Sequence, residues 1–262
     1  MIKLIITDMD GTLLDDVKNL PLDYFEIVAA LQKQGVLFAI ASGRQYYTLL
    51  KEFSEVKDSL LFIAENGTYI AYKGEVIHED AISKSDALKL IDVARKIPNA
   101  FPVLCCVNGA YVEDNDITFL DETKKYYKKL EIVPDISKVD DTILKVTLWD
   151  AIDAETNSYN HFSEFESDFK VAAGGKHWLD VININANKGI AIQKVQKHLN
   201  IAFDETLVFG DYLNDMEMMA TAKFSYAMKN AHPDILKAAS FVTEFDNNES
   251  GVTKAIRLLF PA

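Results

Sequence analysis

Apolar residues follow two rhythms along this chain. Short, nearly unbroken apolar runs occupy Ile2 to Thr7, Val36 to Ala41 and Leu60 to Ala64, and each stops at a polar group. Runs rich in branched residues and too short for helices predict strands buried on both faces, as in a parallel sheet. Between the first two, Leu22, Phe25, Val28 and Leu31 recur at every third position of Pro21 to Gln34, with proline opening and Gly35 closing the segment. That spacing predicts a helix. Thr68 to His78 reads as a hairpin turning at Lys73-Gly74. After Asn187 the alternation resumes: a helix over Lys188 to Leu199, a strand over Thr206 to Gly210 and a helix over Asn214 to Thr221. Strands at Phe224 to Met228 and Phe241 to Thr243 and a helix from Val252 to Phe260 complete it.

From about Ser83 the pattern changes. Helical candidates at Ser85 to Lys96 and Glu155 to Phe165 are mixed with strand candidates at Val103 to Val107, Ala110 to Glu113, Ile143 to Trp149 and His177 to Ile184. Alternating elements at both ends with a differently patterned middle predict an α/β protein. Its core is a doubly wound, Rossmann-like parallel sheet over residues 1–82 and 187–262, interrupted by an inserted α+β domain over residues 83–186.

The chain has 262 residues, 49% of them hydrophobic and 26% charged, enough to bury a substantial core without disulfide staples. A formal net charge of −13 and the lack of any basic patch argue against a nucleic-acid partner. Its two cysteines, Cys105 and Cys106, are adjacent, so neither an ordinary loop-closing disulfide nor metal-ligand spacing is available. No apolar stretch reaches membrane-spanning length and the first residues do not resemble an export signal, so the sequence reads as cytoplasmic.

In open α/β sheets ligands bind beyond the carboxyl ends of the strands, and here the residues at those positions are polar. Asp8 and Asp10 follow the first strand, Ser42 the second, and Asp211, Asn214 and Asp215 the strand ending at Gly210. Two carboxylates two residues apart, with Gly11 permitting a sharp bend, can reach one site. Like charges about 4 Å apart repel by about 4 kcal/mol at an effective dielectric of about 20, so such a group needs a cation. Mg²⁺ suits carboxylate oxygens and accompanies phosphate substrates, and Lys188 could add a positive charge beside it.

Asp8-Met9-Asp10-Gly11-Thr12, Ser42, Lys188 and Gly210-Asp211 with Asp215 resemble the four ordered motifs of haloacid dehalogenase-type phosphatases. Asn66-Gly67, Asn187-Lys188-Gly189, Ala227-Met228 with Asn230-Ala231, and Gly251-Val252 further resemble the Cof-type sugar-phosphatase subgroup, whose cap is inserted between the second and third motifs. The resemblance implies that Asp8 is the nucleophile, forming an aspartyl-phosphate, and Asp10 the general acid and base. It also implies Mg²⁺ held by Asp8, the backbone carbonyl of Asp10, and Asp211, with Asp215 supporting the water shell of the metal. Ser42 and Lys188 would hold the transferring phosphoryl group, with Asn214 a further hydrogen-bonding candidate. The expected substrate is a small phosphorylated metabolite such as a sugar phosphate, with the inserted lobe setting leaving-group preference.

Taken alone, several of these signals have plainer explanations. Asp-x-Asp triplets are common in turns, Ser42-Gly43-Arg44 could be a helix cap, and Lys188 a solvated lysine. Arg44 could reach substrate or form a structural ion pair, and Asn66 stands similarly open. Two other functions compete: a phosphomutase of the same superfamily, and a non-catalytic sensor of a phosphate ligand. Oligomeric state is not legible.

Overall fold

The computed structural model of the protein describes residues 1–174 and 176–260. The chain divides into two compact units, one of Met1–Gly43, Phe53–His78 and Asn187–Ala262, the other of Arg44–Glu52 and Glu79–Ala186. Numbering strands and helices in chain order, the first unit contains β1 (Leu4–Thr7), β2 (Leu37–Ala41), β3 (Leu60–Ala64), β4 (Tyr69–Tyr72) and β5 (Glu75–Glu79), then β12 (Thr206–Gly210), β13 (Phe224–Ala227) and β14 (Phe241–Val242). They form one sheet in the order β14-β13-β12-β1-β2-β3-β4-β5.

From β14 to β3 the pairing is parallel, as in Leu4 opposite Leu37 on one side and Thr206 on the other. The apolar runs explain this, since Leu4, Ile5, Ile6, Leu60, Leu61, Leu207 and Val208 are all fully buried. Each such Leu, Ile or Val contributes roughly 1.5–3 kcal/mol. β1 sits between β2, from which successive strands are added outward to β5 on one side, and β12, from which they are added outward to β14 on the other. It is therefore the topological switch point, and its carboxyl end opens the crevice where a ligand can enter. The antiparallel β4 follows β3 through Glu65-Asn66-Gly67, all three at positive φ. Glycine is required at the last of these, because a Cβ on Gly67, whose φ is +98°, would stand 2.5 Å from the carbonyl oxygen of Asn187.

Among the helices of this unit, α1 (Tyr24–Lys33) buries Ile27, Val28 and Leu31, and α5 (Lys188–Leu199) buries Ala191, Ile192 and Val195. The expected helix over Asn214 to Thr221 is shorter, a 3₁₀ turn at Leu213–Asp215 followed by α6 (Met216–Met219). Met218 and Met219 pack inward from it. A short α7 (Pro233–Ala238) and α8 (Gly251–Leu259) follow.

The second unit is a six-stranded sheet built from β6 (Ala100–Cys106), β7 (Gly109–Val112), β8 (Leu130–Ile132), β9 (Ile143–Asp150), β10 (Phe169–Ala173) and β11 (Trp178–Asn183), ordered β10-β11-β9-β6-β7-β8. Helix α3 (Lys84–Ala94), capped by Ser83, lays Ala87, Leu90, Ile91 and Ala94 among Leu104, Val146, Leu148 and Val181. Helix α4 (Ile117–Tyr126), capped by Asp116, brings Phe119 and Leu120 to Val103 and Trp149. Both α4 and the half-buried β10 escaped the sequence pattern. So did α2 (Tyr46–Glu52), seven residues long, which is held within this unit by side chain to backbone bonds. The Gln45 amide pairs with both backbone groups of Lys129 at 3.0 and 3.1 Å, and Thr48 donates to the carbonyl of Tyr126 at 2.7 Å.

The helix expected over Glu155 to Phe165 is instead a π turn at Ala154–Ser158 followed by two 3₁₀ turns. The fully buried Asp150 carboxylate accepts from Asn157 Nδ2 and Ser158 Oγ, drawing the backbone off a regular helical path. Of the aromatics in this unit, Trp149 and Tyr127 are buried, whereas Tyr126 is exposed and meets Trp178 edge-on at 5.3 Å. Among the described residues no helix is long and apolar enough to cross a membrane.

Candidate active site

Asp8 leaves β1 with its N–H still on the ladder, donating to the carbonyl of Phe209 at 3.0 Å. Its carboxylate is thus fixed at the switch point, buried, rather than carried on a mobile loop. Met9 is fully buried behind it, and its carbonyl accepts the N–H groups of Thr12 and Leu14, closing the turn. Gly11, with φ +85°, makes this turn possible and lets the backbone lie against the Asp211 carboxylate, where a Cβ would collide. Asp10, two residues on, points to a more open position and pairs with Lys18 at 2.7 Å.

Lys188 opens α5, whose Asn187 cap accepts the N–H of Ile190 at 2.8 Å. Its ammonium is 1% exposed and reaches Asp8 Oδ1 at 2.5 Å and Asp215 Oδ1 at 2.7 Å. The other oxygen of Asp215 accepts the N–H groups of Asp211 and Tyr212 at 2.9 and 3.3 Å, which shapes the turn after β12. Both oxygens of Asp215 are therefore committed to the protein. Asp211 receives a hydrogen bond from Thr12 Oγ1 at 2.7 Å across 199 residues of sequence. Sequence reasoning assigned Thr12 no contact of its own, and Lys18 was missed altogether; nothing in either local pattern pointed to its partner.

Asp8, Asp211 and Asp215 each offer an oxygen within 4.8 Å of the others. Burial raises the Asp8 pKa to about 8; Lys188 opposes this, and Asp215 and Asp211 add to it. Burial likewise raises Asp211 to about 6, against the hydrogen bond from Thr12. For Lys188 burial disfavours the charge, but Asp215 and Asp8 outweigh it and hold the ammonium above its ordinary range. These shifts pull apart, because Lys188 stays charged by virtue of partners that burial would protonate. The close contacts favour a charged Lys188, while burial favours the protonated forms of Asp8 and Asp211. Three carboxylates facing one ammonium are short of positive charge, and hard oxygen donors around that shortage fit a divalent cation such as Mg²⁺.

Ser42 follows β2, 2% exposed, with its N–H on the carbonyl of Ile63 and its carbonyl accepting from Asn66. Asn214 lies exposed in the 3₁₀ turn beside Asp215. Arg44 forms an ion pair with Glu52 inside the second unit. Asp15 and Asp16 stand outside the carboxylate group: Asp15 binds the backbone N–H groups of Val17 and Asn19, and Asp16 the side chains of Asn247 and Asn248.

The parallel sheet thus carries a carboxylate at its switch point, a buried lysine clamped on that carboxylate and a second aspartate beside it. The chain belongs to the haloacid dehalogenase-like hydrolases, whose family pattern matches residues 5–256. It is 32% identical over 260 residues to the Escherichia coli 5-amino-6-(5-phospho-D-ribitylamino)uracil phosphatase, covering 97% of this chain and 95% of that protein. A solved Streptococcus mutans structure matches with a TM-score of 0.86 at 28% identity, covering all of both chains. A subclass IIB sugar phosphatase of the superfamily shares the fold, with a TM-score of 0.78 at 21% identity over 98% of each chain. Within the family this protein is a phosphatase.

Proposed function

We propose that the protein hydrolyses small phosphate monoesters, sugar or polyol phosphates among them, through a phosphoryl group carried on Asp8. The observation that carries this reading is the Asp8 carboxylate, fixed at the end of β1 and gripped by Lys188 at 2.5 Å, with Asp211 beside it. Asp8, the Asp10 carbonyl and Asp211 would hold Mg²⁺, with Asp215 behind them. When bound, the ion supplies the positive charge that lets a phosphate dianion approach these carboxylates.

Lys188, with Ser42 and Asn214, would grip the phosphoryl oxygens. An oxygen of Asp8 attacks phosphorus, the bond to the leaving oxygen breaks, and a proton from Asp10 passes to that oxygen. Asp10 then takes a proton from water, which attacks phosphorus and breaks its bond to Asp8, releasing inorganic phosphate. The comparatively open position of Asp10 supports its exchanging protons with leaving group and water. The E. coli relative acts on a phosphorylated ribityl chain, as its name states, and this supports a polyol or sugar phosphate here.

The test is phosphate release from a panel of sugar phosphates, polyol phosphates, nucleotides and p-nitrophenyl phosphate, with isomerised sugar measured in parallel. Asp8→Asn, nearly isosteric and a poor nucleophile, should abolish release while leaving the fold intact. Isomerised sugar without free phosphate would assign a mutase instead. Wild-type turnover by Asp8→Asn, with deamidation excluded by mass spectrometry, would remove Asp8 from the mechanism.

A further inference from the structure

Asn230, Asn247 and Asn248 take no part in the chemistry above, yet all three bind the loop that carries Asp10. Asn230 Nδ2 donates to the carbonyl of Gly11 at 2.8 Å, and its Oδ1 accepts the N–H of Asn247 at 3.2 Å. Asn247, 4% exposed, turns its Nδ2 to the Leu14 carbonyl at 3.1 Å and to Asp16 Oδ1 at 3.0 Å. Asn248 adds a reciprocal pair with Asp16: its Nδ2 donates to Oδ2 and its Oδ1 accepts the Asp16 N–H, both at 3.1 Å.

The asparagines themselves stand on rigid structure. The N–H of Met228, two residues before Asn230, is bonded to the Gly210 carbonyl at the end of β12, and Asn247 lies just ahead of the buried start of α8. At its far end the held loop folds back on Asp10. Asp15 Oδ1 accepts the N–H groups of Val17 and Asn19, Lys18 takes up a left-handed φ of 70°, and its ammonium meets Asp10 Oδ1.

The Asp10 side chain is 41% exposed, so packing alone does not set its direction. Hydrogen bonds to the backbone on either side of the turn can do so. We propose that Asn230, Asn247 and Asn248 are positioning residues: they lock the Gly11–Lys18 loop and thereby aim the Asp10 carboxylate. This rests on the reading of Asp10 as the proton-transfer group. The amides are suited to the task because each can donate to a carbonyl and accept an N–H without adding charge beside a carboxylate-rich site.

The experiment compares Asn230→Ala and Asn247→Ala in the full chain with Mg²⁺, each in the wild-type and the Asp10→Asn background, using p-nitrophenyl phosphate and glucose 6-phosphate. Asn230 is exposed, so its variant remains informative if the buried Asn247→Ala does not fold. In the wild-type background each folded variant should lose about tenfold or more in kcat, with KM changed by less than about twofold, as expected when a reacting group is misaimed. In the Asp10→Asn background the same substitution should change kcat by less than about twofold, because residues acting through one group are not additive. Equal losses in both backgrounds, or no loss on removing Asn230, would overturn the proposal while leaving Asp10 its role. Wild-type kcat in Asp10→Asn itself would overturn the role of Asp10, and the proposal with it.

Discussion

Replacing Lys188 with methionine keeps most of the side-chain volume and removes only the ammonium. That ammonium has two carboxylate contacts, 2.5 Å to Asp8 and 2.7 Å to Asp215, in a place that is 1% exposed. Breaking a buried ion pair by deleting one partner costs about 3–5 kcal/mol, because the remaining charge has lost both water and counter-ion. For a chain of this size that corresponds to a fall in melting temperature of about 6–20 °C. The variant can recover part of the loss by binding a proton. Lys188 opposes the raised Asp8 pKa, so its removal raises the folded-state value further. A carboxyl group whose folded pKa lies above its unfolded value stabilises the fold below the unfolded value, and that stability drains away as pH rises through the folded one. The deficit of Lys188→Met relative to wild type should therefore be larger at about pH 9 than at about pH 7, because wild-type Asp8 releases its proton near pH 8 while the variant still holds it, by up to about 1.4 kcal/mol per pH unit for each additional proton held. Thermal unfolding followed by circular dichroism in chelating buffer measures this directly. The same variant should lose at least about a hundredfold in kcat, the scale seen when one donor to a developing anion is removed. A variant with wild-type melting temperature at both pH values would refute the charge accounting, even if it were inactive.

Two further outcomes follow from the same geometry. In chelating buffer the wild-type melting temperature should fall between about pH 5 and about pH 8, since the fold retains protons on Asp8 and Asp211 that the unfolded chain releases near its ordinary carboxylate range. Saturating Mg²⁺ should flatten that slope, and a chelated protein with a flat or rising profile would contradict it. Gly67→Ala should destabilise by about 1–3 kcal/mol or more, because φ is +98° and the new methyl would press on the Asn187 carbonyl just ahead of Lys188. Urea unfolding with an unchanged midpoint would show that the backbone there yields at little cost.

Much of this molecule was legible in its sequence. β1, β2, β3 and β12 are written as short apolar runs because a strand buried on both faces needs no polar alternation, and α1 is written as a stripe at every third position. The polar residues stopping those runs include Asp8, Ser42 and Asp211, which the parallel sheet carries to the carboxyl ends of its strands. What the pattern did not disclose lies where local sequence is a weak determinant. α2 is too short to show a period, the half-buried β10 has no clean apolar run, and the segment after Asp153 is bent from helix by the buried Asp150 carboxylate. At the site, the order of motifs suggested a group of aspartates and a lysine, but not which oxygen meets which hydrogen. The Thr12 bond to Asp211, the double grip of Lys188 on Asp8 and Asp215, and the asparagines on the Gly11–Lys18 loop join residues that are mostly about two hundred apart in the chain. Composition and spacing are blind to such pairs, because a hydrogen bond depends on distance and direction in space, and only the folded sheet supplies these.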